Sequence, residues 1–246
     1  MRRFIVPQGL LGGATARIAD ELFHHIATVL RLKAGDSMLL VDNSGKEAVA
    51  RITALEKDAV TVTLENLPAR ISGTAGPHVT LYQALPKGDK IDMILQKATE
   101  LGVEAIIPFR AVRSIPKLDG ERLEKRLVRW ERIVREAARQ SGRSSVPKLG
   151  FVDGVAELLV EGEHSLKILL WEGETQRSLK SVLSSSCRPE TVAVIIGPEG
   201  GLTVEEAAKA VAAGYLPVTL GERILRTETA GLAVLAILQY VWGDMG

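Results

Sequence analysis

Two glycine-containing stretches near the C-terminus hold the residues best suited to chemistry. The first reads Ile195-Ile196-Gly197-Pro198-Glu199-Gly200-Gly201-Leu202, and the second Leu220-Gly221-Glu222-Arg223-Ile224-Leu225-Arg226-Thr227-Glu228-Thr229-Ala230. Glycines in a tight turn expose backbone N–H groups and let a ligand approach the chain closely. Glu199 offers a carboxylate that can take a proton or clamp a ligand. Arg226 offers a guanidinium that grips a carboxylate or phosphate through two parallel hydrogen bonds, or pairs with Glu222 or Glu228. Thr203-Val204-Glu205-Glu206 is a capping box that starts a helix directly after the first stretch, and Gly214 is placed to stop that helix.

Each stretch follows an apolar, strand-like run, Thr191–Ile196 and residues 216–220, and each leads into a helical pattern. Two adjacent strand-loop-helix units put both loops at the same end of a parallel sheet, where open α/β sheets bind their ligands. The loops lack other known signatures. No G-x-G-x-x-G follows a strand, Gly45-Lys46 continues to Glu47 rather than Ser or Thr, and no G-x-S-x-G is present. A dinucleotide fingerprint, a P-loop and a hydrolase elbow are therefore excluded. Such a site grips its ligand by backbone contacts and carries few side chains for covalent chemistry.

The 246 residues leave room for one large domain or two ordinary ones. The single Cys187 excludes an internal disulfide framework and fits a reducing cytosol. His24, His25, His78 and His164 lack metal-ligand spacing, so no metal site is expected. The N-terminus does not read as a signal peptide. The longest apolar stretch, residues 230–238, is far short of the roughly 20 residues a membrane-spanning helix needs. A cytoplasmic protein without a membrane span is expected. With a net charge of +1, any nucleic-acid binding must come from local basic patches.

Residues 1–70 read as short strands, Ser37–Asp42, Glu47–Leu55 and 59–65, with a turn at 42–45 and one helix over 19–30. This spacing predicts a small barrel. Residues 72–77, Ser-Gly-Thr-Ala-Gly-Pro, read as a linker, after which strands alternate with helices. Strands are expected at His78–Ala84, Ala105–Phe109 and Leu166–Leu170, and helices at 89–101 and Gly120–Gln140. The alternation implies a mostly parallel sheet flanked by helices. The last helix, 228–241, is apolar nearly all round and should be buried within the chain or against a second subunit.

The two loops and two further stretches, residues 87–103 from Lys87-Gly88-Asp89-Lys90 and residues 129–143 from Arg129-Trp130-Glu131-Arg132, resemble the SPOUT superfamily of methyltransferases. Within it they resemble the RsmE family of ribosomal RNA uridine methyltransferases. The resemblance implies an α/β SPOUT fold with a C-terminal trefoil knot over residues 77–246, preceded by a PUA-like β-barrel RNA-binding domain over residues 1–71. It also implies a homodimer, S-adenosylmethionine as methyl donor, and N3 of a uridine in small-subunit (16S) ribosomal RNA, free or in the assembled subunit, as acceptor.

By the same resemblance, the cofactor pocket takes Ile196, Gly197, Pro198, Glu199, Gly200 and Gly201 from the first loop. From the second it takes Leu220, Gly221, Ile224, Leu225, Arg226 and Thr227, and from the end of the Leu166–Leu170 strand Leu170 and Glu172. Arg226 is the expected stabiliser of a uracil anion or orienter of the cofactor, and Glu199 the expected base or cofactor clamp. RNA contacts are expected from Arg2, Arg3, Arg31, Lys33, Lys87, Lys97, Arg113, Arg139 and Arg143. The basic side chains of helix Gly120–Gln140 are equally consistent with a solvated face of ion pairs. Trp130 and Trp171 are read as core. A different acceptor, a ribose hydroxyl or a tRNA base, and a non-catalytic ribosome-assembly role are the competing readings.

Overall fold

Alternating apolar residues build the N-terminal strands. Val60 and Val62 point inward and are fully buried, while Thr63 between Val62 and Leu64 faces out, the period of a half-buried strand. The structure, a computed structural model, describes residues 2–42, 46–66, 76–116, 118–160 and 162–246. Residues 43–45 of the predicted turn, 72–75 of the predicted linker and the predicted boundary at 71 lie outside the described residues. The chain divides into one unit of Met1–Ser72 with Ala138–Val146 and a second of Gly73–Ala137 with Pro147–Gly246.

The first unit runs β1 (Arg2–Val6), β2 (Thr15–Ala19), α1 (Asp20–His24) continuing into a π-helical turn (His25–Val29), β3 (Ser37–Asp42), β4 (Glu47–Leu55) and β5 (Ala59–Asn66). The strands form a barrel-like sheet in the order β1-β3-β4-β5-β2, parallel only between β1 and β3. A register slip between Ile52 and Ala54 marks a bulge, which bends β4 and helps curl the sheet. Phe4, Met38, Leu40, Ile52, Val60 and Val62 fill its interior together with Ile26 of the π-helical turn. Arg3 closes an ion pair at 2.7 Å with the buried Glu47, and Lys46 Nζ donates to the Leu11 carbonyl at 2.6 Å.

The second unit runs β6 (His78–Ala84), α2 (Lys90–Glu100), β7 (Ala105–Phe109), α3 (Gly120–Gln140), β8 (Lys148–Leu149), α4 (Val155–Leu158), β9 (Leu166–Leu170), α5 (Leu179–Ser185), β10 (Thr191–Ile196), α6 (Val204–Ala212), β11 (Leu216–Val218) and α7 (Thr227–Trp242). All six strands are parallel, in the order β11-β9-β10-β6-β7-β8. The two strands that carry the glycine loops are therefore not neighbours, because β9 lies between them. Sequence adjacency of β10 and β11 does not decide spatial order in a parallel sheet, where each crossover can pass over another strand.

The two faces of the sheet have different covers. Tyr82, Ala84, Leu169, Ala193 and Ile195 pack with α4 and α6 through Val155, Leu158, Ala207 and Ala210. Leu81, Gln83 and Ile196 face α7, where Gly231 lets the helix come close. Helix α7 buries Ala230, Val234, Leu235 and Leu238, but Ile237, Tyr240 and Val241 are 37%, 68% and 44% exposed. Of the two covers expected for this helix, its own chain supplies one side only, because a helix laid on one sheet face is covered by that sheet on that side alone.

Helix α3 places Trp130, Val134 and Ala137 in the core at helical spacing. Two of its arginines are met by acids of α2 and the turn before it: Arg126 reaches Asp89 at 3.1 Å and Arg129 pairs with Asp92. Among the described residues no helix is long and apolar enough to cross a membrane, and no cluster of His, Cys, Asp and Glu could hold a metal ion. Trp130 is fully buried, so Trp130→Ala is expected to lower the free energy of unfolding by about 3–5 kcal/mol, measured by urea denaturation.

Candidate active site

At the carboxyl ends of β9, β10 and β11 the second unit opens into a cavity of about 1160 Å³. Its first wall is the loop after β10. Gly201 N–H donates to the Pro198 carbonyl at 2.9 Å, closing a tight turn, and the chain leaves it through a positive φ (68°) at Gly201. A side chain at Gly201 would also strike the Glu172 carboxylate, so the loop backbone and the end of β9 touch directly. The turn is fixed from behind by the capping box: Glu206 N–H donates to Thr203 Oγ1 at 3.1 Å, and Glu206 Oε2 accepts from Thr203 N–H at 2.9 Å.

The other oxygen of Glu206 accepts from the Val112 N–H at 2.9 Å, and Arg113 donates to the Gly200 carbonyl at 2.7 Å. The segment after β7 is thereby laced to the glycine loop at two points. The second wall is the loop after β11, where Thr219 Oγ1 and the backbone of Gly221 exchange hydrogen bonds at 2.9 and 3.2 Å. Arg226 is the N-cap residue of α7 and its side chain is 81% exposed, with Nη1 4.0 Å from Glu228. The third wall is Leu170, Trp171 and Glu172 after β9.

All fourteen residues expected to form the cofactor pocket line this one cavity. Nine further residues line it that the sequence reading did not assign: Lys90, Trp171, Glu174, Thr175, Val218, Thr219, Glu222, Arg223 and Ala230. Trp171, read as core, packs on the core cluster and lines the cavity as well. Lys90 is the most consequential of them. It reaches Glu199 at 2.8 Å and Glu228 at 3.2 Å, so one cation bridges the first loop and the start of α7. Its signal was present in the Lys87-Gly88-Asp89-Lys90 stretch, but nothing local says which of its two lysines turns inward.

Both oxygens of Glu199 accept from the Lys87 backbone N–H at 3.2 Å. Burial pushes the Glu199 carboxyl up, and the Lys90 hydrogen bond together with backbone N–H groups of Glu199 and Lys87 outweighs it, leaving the group below the ordinary carboxylate range. The hydrogen bond to Glu199 raises Lys90, with desolvation opposing it and Glu228 adding to it. Glu199 is thus an ionised clasp and a weak proton acceptor.

The expected RNA contacts are spread over both units. Arg2, Arg31 and Lys33 are exposed in the first, where Arg3 is committed to Glu47. Arg139 and Arg143 are half-buried and belong to the Ala138–Val146 segment of that same unit. In the second unit Lys87 is exposed, Lys97 pairs with Glu100 at 2.9 Å and Arg113 holds Gly200.

The class is defined by fold and domain content together. A family model described as an RNA methyltransferase domain matches residues 74–239, and one described as an RNA methyltransferase PUA domain matches residues 18–65. The ribosomal RNA small subunit methyltransferase E of Bacillus subtilis is 34% identical, with 98% of this chain and 96% of that protein covered. A crystal structure of ribosomal RNA small subunit methyltransferase E from Neisseria gonorrhoeae bound to S-adenosyl methionine is 38% identical, with 100% of both chains covered and a TM-score of 0.85. A Legionella pneumophila methyltransferase in complex with the bound cofactor SAM is 32% identical over 98% of both chains, with a TM-score of 0.86. The chain belongs to the ribosomal RNA small subunit methyltransferase E family.

Lys90→Met removes the hydrogen bond that does most to depress Glu199. A depressed carboxyl contributes its stabilisation above its unfolded pKa and loses it as pH falls through the folded value. In the native chain the clasp therefore opens only below the ordinary carboxylate range, and in Lys90→Met the Glu199 titration moves upward. Carbon-13 NMR of the labelled side chain checks this.

Proposed function

We propose that this chain methylates N3 of a uridine in small-subunit (16S) ribosomal RNA, with S-adenosylmethionine as the methyl donor held in the cavity of the second unit. The observation that carries this reading is the convergence of both glycine loops and the β9 end on one cavity in a chain of this family. The lining suits the donor. Leu170, Ile196, Leu220 and Leu225 give apolar walls for a planar base, and the loop backbones give hydrogen bonds for its edge. The carboxylates of Glu172 and Glu199 suit a positively charged sulfonium, and the Gly201–Glu172 contact forms a cradle that any Cβ would fill. When bound, the donor supplies an electrophilic methyl carbon on a cationic sulfur.

The chain's own task is alignment and control of charge. N3 of uracil becomes nucleophilic once its proton leaves. The exposed Arg226 guanidinium stabilises the resulting anion at the uracil oxygens, and the proton passes to water at the open mouth. Glu199 acts as the clamp, since its ionised, doubly hydrogen-bonded carboxylate is a poor base at neutral pH. RNA recognition falls to Arg2, Arg31, Lys33, Arg139 and Arg143 in the first unit and to Lys87, Lys97 and Arg113 in the second. The enzyme works in the cytoplasm on small-subunit RNA.

We also assign a SPOUT-type trefoil knot to the C-terminal segment. Its support is the path of the chain: β11 is the edge strand beyond β9, and α7, which follows at once, packs on α2, β10 and β6. The exposed apolar side of α7 supports a homodimer through Ile237, Tyr240 and Val241. Tyr240→Glu is expected to convert the dimer to monomer in light scattering, because a buried unpaired charge is strongly unfavourable at an apolar interface.

Nucleoside mass spectrometry of ribosomal RNA from a strain lacking the gene tests the activity. The expected result is loss of 3-methyluridine from the small-subunit RNA, restored by the gene; an unchanged nucleoside profile refutes the reading. Arg226→Ala is expected to lower kcat by about 100-fold, and full activity with unchanged cofactor affinity refutes the role given to Arg226.

A further inference from the structure

β6 carries a glutamine where a central strand ordinarily buries an apolar residue. Gln83 is fully buried, on the sheet face under α7, and lies behind the cavity rather than in its lining. An amide in such surroundings is costly unless its hydrogen bonds are made. Gln83 Nε2 donates to the Ala84 carbonyl at 3.1 Å and to Thr227 Oγ1 at 2.9 Å. The Thr227 hydroxyl, having accepted there, donates to the Gly197 carbonyl at 2.6 Å. The donors therefore run one way, from Gln83 through Thr227 to Gly197, and every proton in the chain is used.

The two acceptors down this relay sit at the glycine loops. Gly197 opens the loop after β10, and Thr227 is the first residue of α7, directly after the loop that follows β11. Gln83 Oε1 has no hydrogen-bond partner among the described residues, and Gly231 faces it so closely that a Cβ there would stand 3.2 Å away. A buried acceptor left unpaired costs stability. A glutamine kept at that cost is poorly explained by stability alone.

We propose that Gln83 is a positioning residue of the methyl-donor pocket. It orients the Thr227 hydroxyl and, through it, the Gly197 carbonyl, and so holds both glycine loops in the register that makes one pocket. This rests on the cofactor reading above.

The test is S-adenosylmethionine titration, by calorimetry and by steady-state kinetics, of the full chain and of Gln83→Met, Thr227→Val and Thr227→Ser. Gln83→Met keeps the volume and removes both donors and the orphan acceptor. Losing the unpaired Oε1 offsets part of the cost of leaving the Ala84 carbonyl and the Thr227 hydroxyl without a donor, so this variant is expected to melt close to the native temperature. Its Kd and KM for the donor are expected to rise about tenfold, with kcat at saturation nearly unchanged, the pattern of lost binding register. Thr227→Val should show the same split, and Thr227→Ser should restore native values. Native donor affinity in Gln83→Met, or an affinity loss that only tracks a fall in melting temperature, overturns the positioning role. If the unaltered chain binds no donor, the cofactor reading falls first; if it binds and Gln83→Met binds equally, only the role of Gln83 falls.

Discussion

The parallel alignment of β9, β10 and β11 is the constraint on which the site depends. Strands that run the same way deliver their loops to one edge, so three segments distant in sequence meet without a dedicated scaffold. The cost is that loop backbones at that edge lack ladder partners. The chain answers with local closures: the Gly201–Pro198 turn, the Thr203–Glu206 box and the Thr219–Gly221 exchange. These leave the inner rim of the loops polar and fixed, which is what a backbone-gripping pocket needs.

Bracing comes from elements outside the three strands. The segment after β7 holds the first loop through Arg113 and the start of α6 through Val112, and Lys90 of α2 with the Lys87 N–H ahead of it holds Glu199. Glu206 illustrates the economy of this arrangement: one buried carboxylate caps a helix with one oxygen and ties a distant loop with the other. The ion pairs at the rim are partly solvated and contribute little to folding. Their value is directional, since a carboxylate engaged by three donors has few orientations left.

Much of this was readable from local pattern. The α3 helix was expected at Gly120–Gln140 and is found there, because a long apolar stripe at helical period admits few alternatives. The capping box and the Gly214 stop are equally local, and both are observed. Strand order was not readable: nothing in residues 191–220 says that β9 comes between β10 and β11. The two-residue β8 was missed as too short to form a pattern, and the edge strands β1 and β2 because Arg2, Arg3 and Arg17 interrupt their apolar runs. Local pattern leaves the α3 arginines open between RNA and ion pairs, and the fold places Asp89 and Asp92 beside Arg126 and Arg129. Lys90 and Gln83 escaped for the same reason, since their partners lie more than a hundred residues away in sequence.

One detail of the rim separates two kinds of selection. Glu199 is held by the main chain of Lys87, not by its side chain, which stays in solvent. Any residue that retains an N–H can therefore close that contact, and only proline is barred. Position 87 can drift in charge and length to suit whatever approaches the mouth of the site while the loop beneath it stays put. Recognition and architecture are thus uncoupled within a single residue.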